Sequence, residues 1–174
     1  MSLIKKTHMK LKLTLLVMLF LGMGFIANAQ KSAADTDAET NAIITLLGIQ
    51  KKEAVAQLVH LEKKDSAAFW KLYSEYQIAN NKNAKTRMQL YEKTAEAYNS
   101  MSVKTADSLA TQFFKQRAEQ EKSIEEYYTK IKTATNTVVA FQFYQTEVYL
   151  LTQIRAQIMQ QIPTYGQLLN AAKH

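Results

Sequence analysis

From Ile49 to Ile162 the chain runs for 114 residues without a glycine or a proline. A sheet protein needs turn residues every 8 to 12 positions or so to reverse its strands, and this stretch lacks the two residues that serve best. The fold class that follows is all-α, with long helices separated by polar caps. There is no cysteine, so neither a disulfide framework nor a thiolate metal site contributes.

The helix marked most strongly is the stretch from Val138 to Pro163. Phe141, Tyr144, Val148, Leu151, Ile158 and Ile162 fall in one stripe at the i, i+3, i+4 and i+7 spacing of a core-facing surface. A second apolar row, Val139, Phe143, Leu150 and Ile154, lies roughly 120° round the same helix, so one partner cannot cover both. Thr135, Asn136 and Thr137 can cap the start, and Pro163 followed by Gly166 ends it.

Three further helices precede it. The first is expected from about Asp37 to Val59, with Ile43, Leu46, Leu47, Ala54, Val55 and Leu58 apolar and Gly48 a weak point inside. The second is expected to start after Asp65 or Ser66, and carries Phe69, Tyr73 and Tyr76, then Met88, Tyr91, Ala95 and Tyr98. Asn80-Asn81-Lys82-Asn83 within it is a poor helix stretch, prone to kinking or fraying. The third begins near Ser102 and carries Leu109, Phe113, Ile124, Tyr127, Tyr128 and Ile131. Short links make sequential helices antiparallel neighbours, which predicts an elongated four-helix arrangement built on a long antiparallel helical hairpin. Helices of roughly 30 residues are about 45 Å long, leaving much surface that a homodimer would cover.

The first thirty residues read as an address. Lys5, Lys6, Lys10 and Lys12 precede an apolar run from Leu13 to Ile26, and Ala27-Asn28-Ala29 is an A-x-A cleavage site. Those 14 apolar residues fall short of the roughly 20 that span a bilayer. The expected organisation is therefore a signal peptide over 1–29, a flexible leader over 30–37, one all-helical domain over 38–165 and a tail over 166–174. Export across the inner membrane into the periplasm follows, with no stable membrane anchor after cleavage. Of 22 basic and 15 acidic residues, four basic and no acidic ones lie in the first 29, leaving 18 against 15. That mild balance, with lysine outnumbering arginine 19 to 3, does not suit nucleic-acid binding.

There is a faint internal echo. Leu61-Glu62-Lys63-Lys64-Asp65 and Met101-Ser102-Val103-Lys104-Thr105, 40 residues apart, are each an apolar residue and a polar cap before a helix enters its core. With the signal peptide, the long helices and the absence of cysteine, this arrangement resembles the Spy/CpxP-like group of periplasmic helical proteins, named for an LTxxQ motif. The resemblance covers nearly all of the chain after the signal, through Phe69, Trp70, Tyr73 and Tyr76, then Phe143, Gln145, Glu147, Leu150, Ile154, Arg155, Ile162 and Pro163. Both motif copies are degenerate: Asp65 and Thr105 stand where the family has glutamine, and Glu62 replaces the threonine of the first. The resemblance implies a helical, cradle-like, often dimeric protein that binds unfolded or stressed proteins without ATP, or modulates an envelope-stress pathway.

Catalytic chemistry finds little material. Beyond the signal there are two histidines, His60 and His174, no His-x-x-x-His, no glycine-rich elbow and no phosphate cradle. Glu119, Glu121, Glu125 and Glu126 form the densest acidic group. Glu121 and Glu125 could share a cation, but Lys115, Arg117, Lys122 and Lys130 are interleaved, and Glu126 to Lys130 is the favourable i, i+4 order of a solvated face. Neither an enzyme nor a cofactor is expected.

Two features are less bland. Arg155 falls inside the main apolar stripe, where it either snorkels or finds a carboxylate on another helix or subunit. The aromatic residues Trp70, Tyr73, Tyr76, Tyr127 and Tyr128 either fill the core or line a concave face for a client or partner. The expected function is an exported, ATP-independent, chaperone-like protein that holds unfolded or envelope proteins. The alternative is an envelope-stress regulator or metal-responsive sensor acting through a specific partner.

Overall fold

Counting forward from Phe69 in alternating steps of four and three gives Tyr73, Tyr76, Asn80, Asn83, Arg87 and Leu90. That is the spacing of a helix packed along its whole length against a neighbour, and all of these residues are buried or half-buried. In the computed structural model, which describes residues 48–160, they form the seam of the longest helix. The chain divides into two units, Met1–Asp37 and Ala38–His174, and the described residues belong to the second. The expectations for the signal peptide, the leader, the tail, Ile43, Leu46, Leu47, Ile162 and Pro163 fall outside the described residues.

Four helices and no strand are present among the described residues, so the fold is all-α. We label them α1 (described over 48–58), α2 (Lys63–Ala97), α3 (Val103–Ala134) and α4 (Thr137–Gln160). A single 3-10 turn, Tyr98–Ser100, follows α2. At 35 and 32 residues, α2 and α3 are about 50 Å long.

Their pairing is antiparallel, because partners run in opposite order: Tyr76 with Tyr127, Arg87 with Gln120, Tyr91 with Phe113. This is the expected hairpin. α1 also runs antiparallel to α2, as Gly48 meets Gln77 and Lys52 lies over Trp70. α4 runs parallel to α2, with Asn136 on Asp65 and Glu147 on Tyr76. The four helices therefore alternate in direction.

The helix ends follow local chemistry. Ser102 caps α3 by accepting the Thr105 amide at 3.1 Å, as its position predicts. Asn136 caps α4, its Oδ1 accepting the amides of Val138 at 2.9 Å and Val139 at 3.0 Å. α2, by contrast, begins at Lys63 rather than after Asp65 or Ser66, with Glu62 in the cap position and no side-chain cap bond. Asp65 is buried and has another role: it accepts a 3.0 Å hydrogen bond from Asn136 Nδ2, joining the start of α2 to the turn before α4. The asparagine stretch does not break α2, because Asn80 turns inward and bonds to the Tyr76 hydroxyl, while Asn83 bonds to Asn80.

α4 buries only part of the stripe expected to face the core: Leu151 is buried and Val148 and Ile158 are half-buried. Val139, Phe143 and Leu150 of the second row are buried, with Ala140, Thr146, Glu147 and Leu151. Phe141 and Tyr144 of the first row are exposed, by 54% and 37%. The core is correspondingly aromatic: Phe143 meets Tyr73 and Tyr76 edge-on at 6.3 and 5.2 Å, and Tyr76 meets Tyr127 at 5.3 Å. Val55, Val59, Phe69, Ile124 and Ile131 complete it. Truncating Phe69, fully buried, to alanine should destabilise the protein by about 3–5 kcal/mol. Phe114→Ala, at a residue that is 70% exposed, should stay within about 0.5 kcal/mol; urea unfolding of both variants checks the contrast.

Candidate functional site

Glu147 has the full inward position on α4 and is completely buried. A carboxylate there is tolerable only when its oxygens are satisfied by donors and its charge by a cation. Both conditions are met. Lys51 Nζ on α1 reaches Oε2 at 2.7 Å, and the hydroxyls of Tyr76 and Tyr73 on α2 donate to Oε2 at 2.8 Å and Oε1 at 3.3 Å. One carboxylate thus ties three helices together.

The network extends from there along the α2 seam. Gln77 Nε2 donates to the Tyr73 hydroxyl at 3.3 Å and to the Gly48 carbonyl at 2.9 Å. The Tyr76 hydroxyl accepts from Asn80 Nδ2 at 3.1 Å and from Gln120 Nε2 on α3 at 3.5 Å. Gln120 in turn accepts from Arg87 Nη1 at 3.3 Å. All four helices therefore contribute a polar side chain to one connected, largely buried cluster. Arg87, Gln116, Gln120 and Asn80 are each buried where a two-helix seam would ordinarily hold leucine.

Burial sets the acidity of these groups. Loss of water, and then the charge and hydrogen bond of Glu147, push the Tyr73 and Tyr76 hydroxyls well above the ordinary tyrosine range. Both stay protonated and act as donors. Burial pulls Arg87 below its usual value, and the nearby charge of Arg155 acts in the same direction. The cluster offers fixed donors and two cations, but no nucleophile and no free base.

The aromatic residues singled out from sequence separate into two groups. Tyr73 and Tyr76 are fully buried and Tyr127 nearly so, so of the two alternatives these three fill the core and do not line a wet concave face: Glu147 draws the first two hydroxyls inward, and Tyr127 packs on Tyr76. Trp70 and Tyr128 are half-buried beside the core. Lys52 lies 5.8 Å above the Trp70 ring and Lys130 lies 4.4 Å above that of Tyr127. Of the motif residues, Phe143 is core, Gln145 is exposed and Arg155 is half-buried. No carboxylate pairs with Arg155 among the described residues.

Sequence reasoning missed Lys51, Asn80, Arg87, Gln116 and Gln120 as members of a site. The four-three spacing begun by Phe69, continued through residues that are not apolar, is a signal for Asn80 and Arg87; Lys51, Gln116 and Gln120 lie on other helices, outside that series. The acidic group on α3 behaves as a solvated face, with Glu126 and Lys130 paired at 2.6 Å. No group of three or more metal-ligating side chains occurs among the described residues, and no described helix is long and apolar enough to cross a membrane.

Glu147→Leu should cost about 3–5 kcal/mol, because Lys51 is left as a largely buried cation and two hydroxyls lose their acceptor. The double variant Lys51→Met, Glu147→Leu should recover a large part of that loss, and a double-mutant cycle in urea measures the coupling. The tyrosines predict an alkaline limit. An unfolded tyrosine ionises near pH ~10, while Tyr73 and Tyr76 hold their protons in the folded state. Their contribution is complete below pH ~10 and should fall by about 1.4 kcal/mol per pH unit per tyrosine above it. Tyr73→Phe should remove one tyrosine's share of that slope between roughly pH 10 and 12 in pH-stepped urea unfolding. Comparison with family models, with curated proteins and with solved structures finds no match to this chain.

Proposed function

We propose that this chain is an exported, ATP-independent, chaperone-like protein of the cell envelope, a divergent relative of the Spy/CpxP-like proteins, that holds unfolded or stressed proteins against the outward face of α4. The chemistry of that face carries the reading. Val138, Phe141, Tyr144 and Tyr149 are all exposed along it, and the Phe141 and Tyr144 rings lie 6.4 Å apart. Of the 24 residues of α4 the charged ones are Glu147 and Arg155, and Glu147 points inward. The outward face has no acidic side chain at all.

α3 serves as the internal comparison. All eleven of its charged residues are exposed, the pattern of a helix whose outer side meets only water. An aromatic outer face on α4 that is free of acidic side chains suits contact with apolar segments of any sequence. Its tyrosines can meet polar groups of the same client through their hydroxyls. Surface lysines would raise the encounter rate with acidic clients. Release needs no ATP, because a client that folds buries the segments that bound. The signal-like N-terminus supports a place in the periplasm, and nothing in the network around Glu147 calls for catalysis.

The test is light scattering from a chemically denatured, unrelated protein diluted into buffer with and without this chain, at low and high salt. The wild type should suppress aggregation at near-stoichiometric ratio. Phe141→Ser, Tyr144→Ser should lose that suppression several-fold while its melting temperature stays close to wild type, since both side chains are exposed. Absence of suppression by the wild type at several-fold excess, or full suppression by the double variant, would sink the reading.

A further inference from the structure

We propose that the buried guanidinium of Arg87 is half of a binding site for a small oxyanion group, a carboxylate or a phosphate, seated between α1, α2 and α4. The site is distinct from the outward face of α4. Its walls are a cavity of about 50 Å³ lined by Lys51, Gln77, Asn80, Arg87, Leu151 and Ile154, among others. A water needs roughly 10–15 Å³ of such space, so the volume takes a group of about three to five heavy atoms.

The charges point to an anion. Glu147 is matched by Lys51 at 2.7 Å, and this pair is neutral. Arg87 has only 6% of its surface exposed. Its Nη1 makes one long bond to the neutral Gln120, and its Nε has no acceptor. After burial itself, Tyr91 bears on it most and favours its charge, the like charge of Arg155 opposes it, and Glu147 acts on it only weakly. A cation this buried, without a carboxylate partner among the described residues and repelled by a second arginine, is costly to keep. A guanidinium is a planar fork of donors that binds a carboxylate or phosphate through parallel hydrogen bonds, and Arg87 lines the cavity. Lys51 and the side-chain amides of Gln77 and Asn80 line the same cavity, and Leu151 and Ile154 give it an apolar wall against which a short alkyl tail could lie.

The test titrates the purified protein with sodium propionate or sodium phosphate against sodium chloride at constant ionic strength, reading the melting temperature. A saturable rise above the chloride baseline is expected. A rise with propionate alone identifies a carboxylate, with phosphate alone a phosphate, and with both the shared oxyanion chemistry. Arg87→Gln should abolish the rise and, in chloride alone, melt at or above the wild type, because it removes a buried charge that lacks a counter-ion. Arg87→Lys, which keeps the charge but not the fork, should weaken the response about tenfold or more. No oxyanion-specific rise, a rise that survives in Arg87→Gln, or an Arg87→Gln protein that melts well below wild type in chloride would each overturn the proposal.

Discussion

The carboxylate of Glu147 decides how this protein is put together. Removing a carboxylate from water costs several kcal/mol unless a cation and donors replace the solvent, and here Lys51, Tyr73 and Tyr76 do so from two other helices. Such a pair adds little net stability over an apolar equivalent. What it adds is discrimination: a shift of α4 by one turn, about 5.4 Å, would leave the carboxylate without donors and Lys51 without its anion. An aromatic core alone would discriminate less, because rings at i and i+4 can exchange partners with little loss of buried area.

The same carboxylate explains why α4 turns the aromatic start of its most conspicuous stripe outward. The helix has two apolar rows roughly 120° apart, and a single packing surface covers only one. The row of Phe141, Tyr144 and Val148 is the more regular one in sequence. The row of Val139, Phe143 and Leu150 lies beside Glu147, so rotating α4 to place Glu147 beneath the two tyrosines buries that row and exposes Phe141 and Tyr144 of the other. Exposing parts of a phenylalanine and a tyrosine forgoes a few kcal/mol at most. An unpaired carboxylate and ammonium would cost at least as much.

Much of the architecture was nonetheless legible. The absence of glycine and proline over 114 residues sets the class. Ser102 and Asn136 mark helix starts because their side chains accept the first free amides. Phe69, Tyr73 and Tyr76 mark a packed face by their spacing. Which face of α4 packs was not legible, because apolar periodicity counts area and is blind to a buried ion pair whose other member is 96 residues away. The polar seam was hidden for a related reason. Asn80, Arg87, Gln116 and Gln120 look like surface residues when each helix is read alone, and only the hairpin pairing brings Arg87 to Gln120 and Gln120 to Tyr76. Asp65 read as a helix cap because its type and position suit one, yet its carboxylate is taken by Asn136 from the turn before α4.

These choices divide the molecule's chemistry in an unusual way. Polar groups that would normally face water are gathered along the inner seam of α2 and α3, and aromatic groups that would normally be inside stand on the outer side of α4. Inward, fixed amides, hydroxyls and cations form a pre-organised polar lining whose one uncompensated charge is positive. Outward, a surface free of acidic side chains carries large side chains that can move without disturbing the core, since no buried residue among those described depends on Phe141 or Tyr144 for its hydrogen bonds. A rigid interior and a compliant outer face can therefore change independently: substitutions that tune what α4 holds need not touch Glu147, and a ligand at Arg87 would stiffen the α1, α2 and α4 packing from within. The two surfaces share one helix, so binding inside would reach the outer face through the orientation of α4, which Glu147 already fixes.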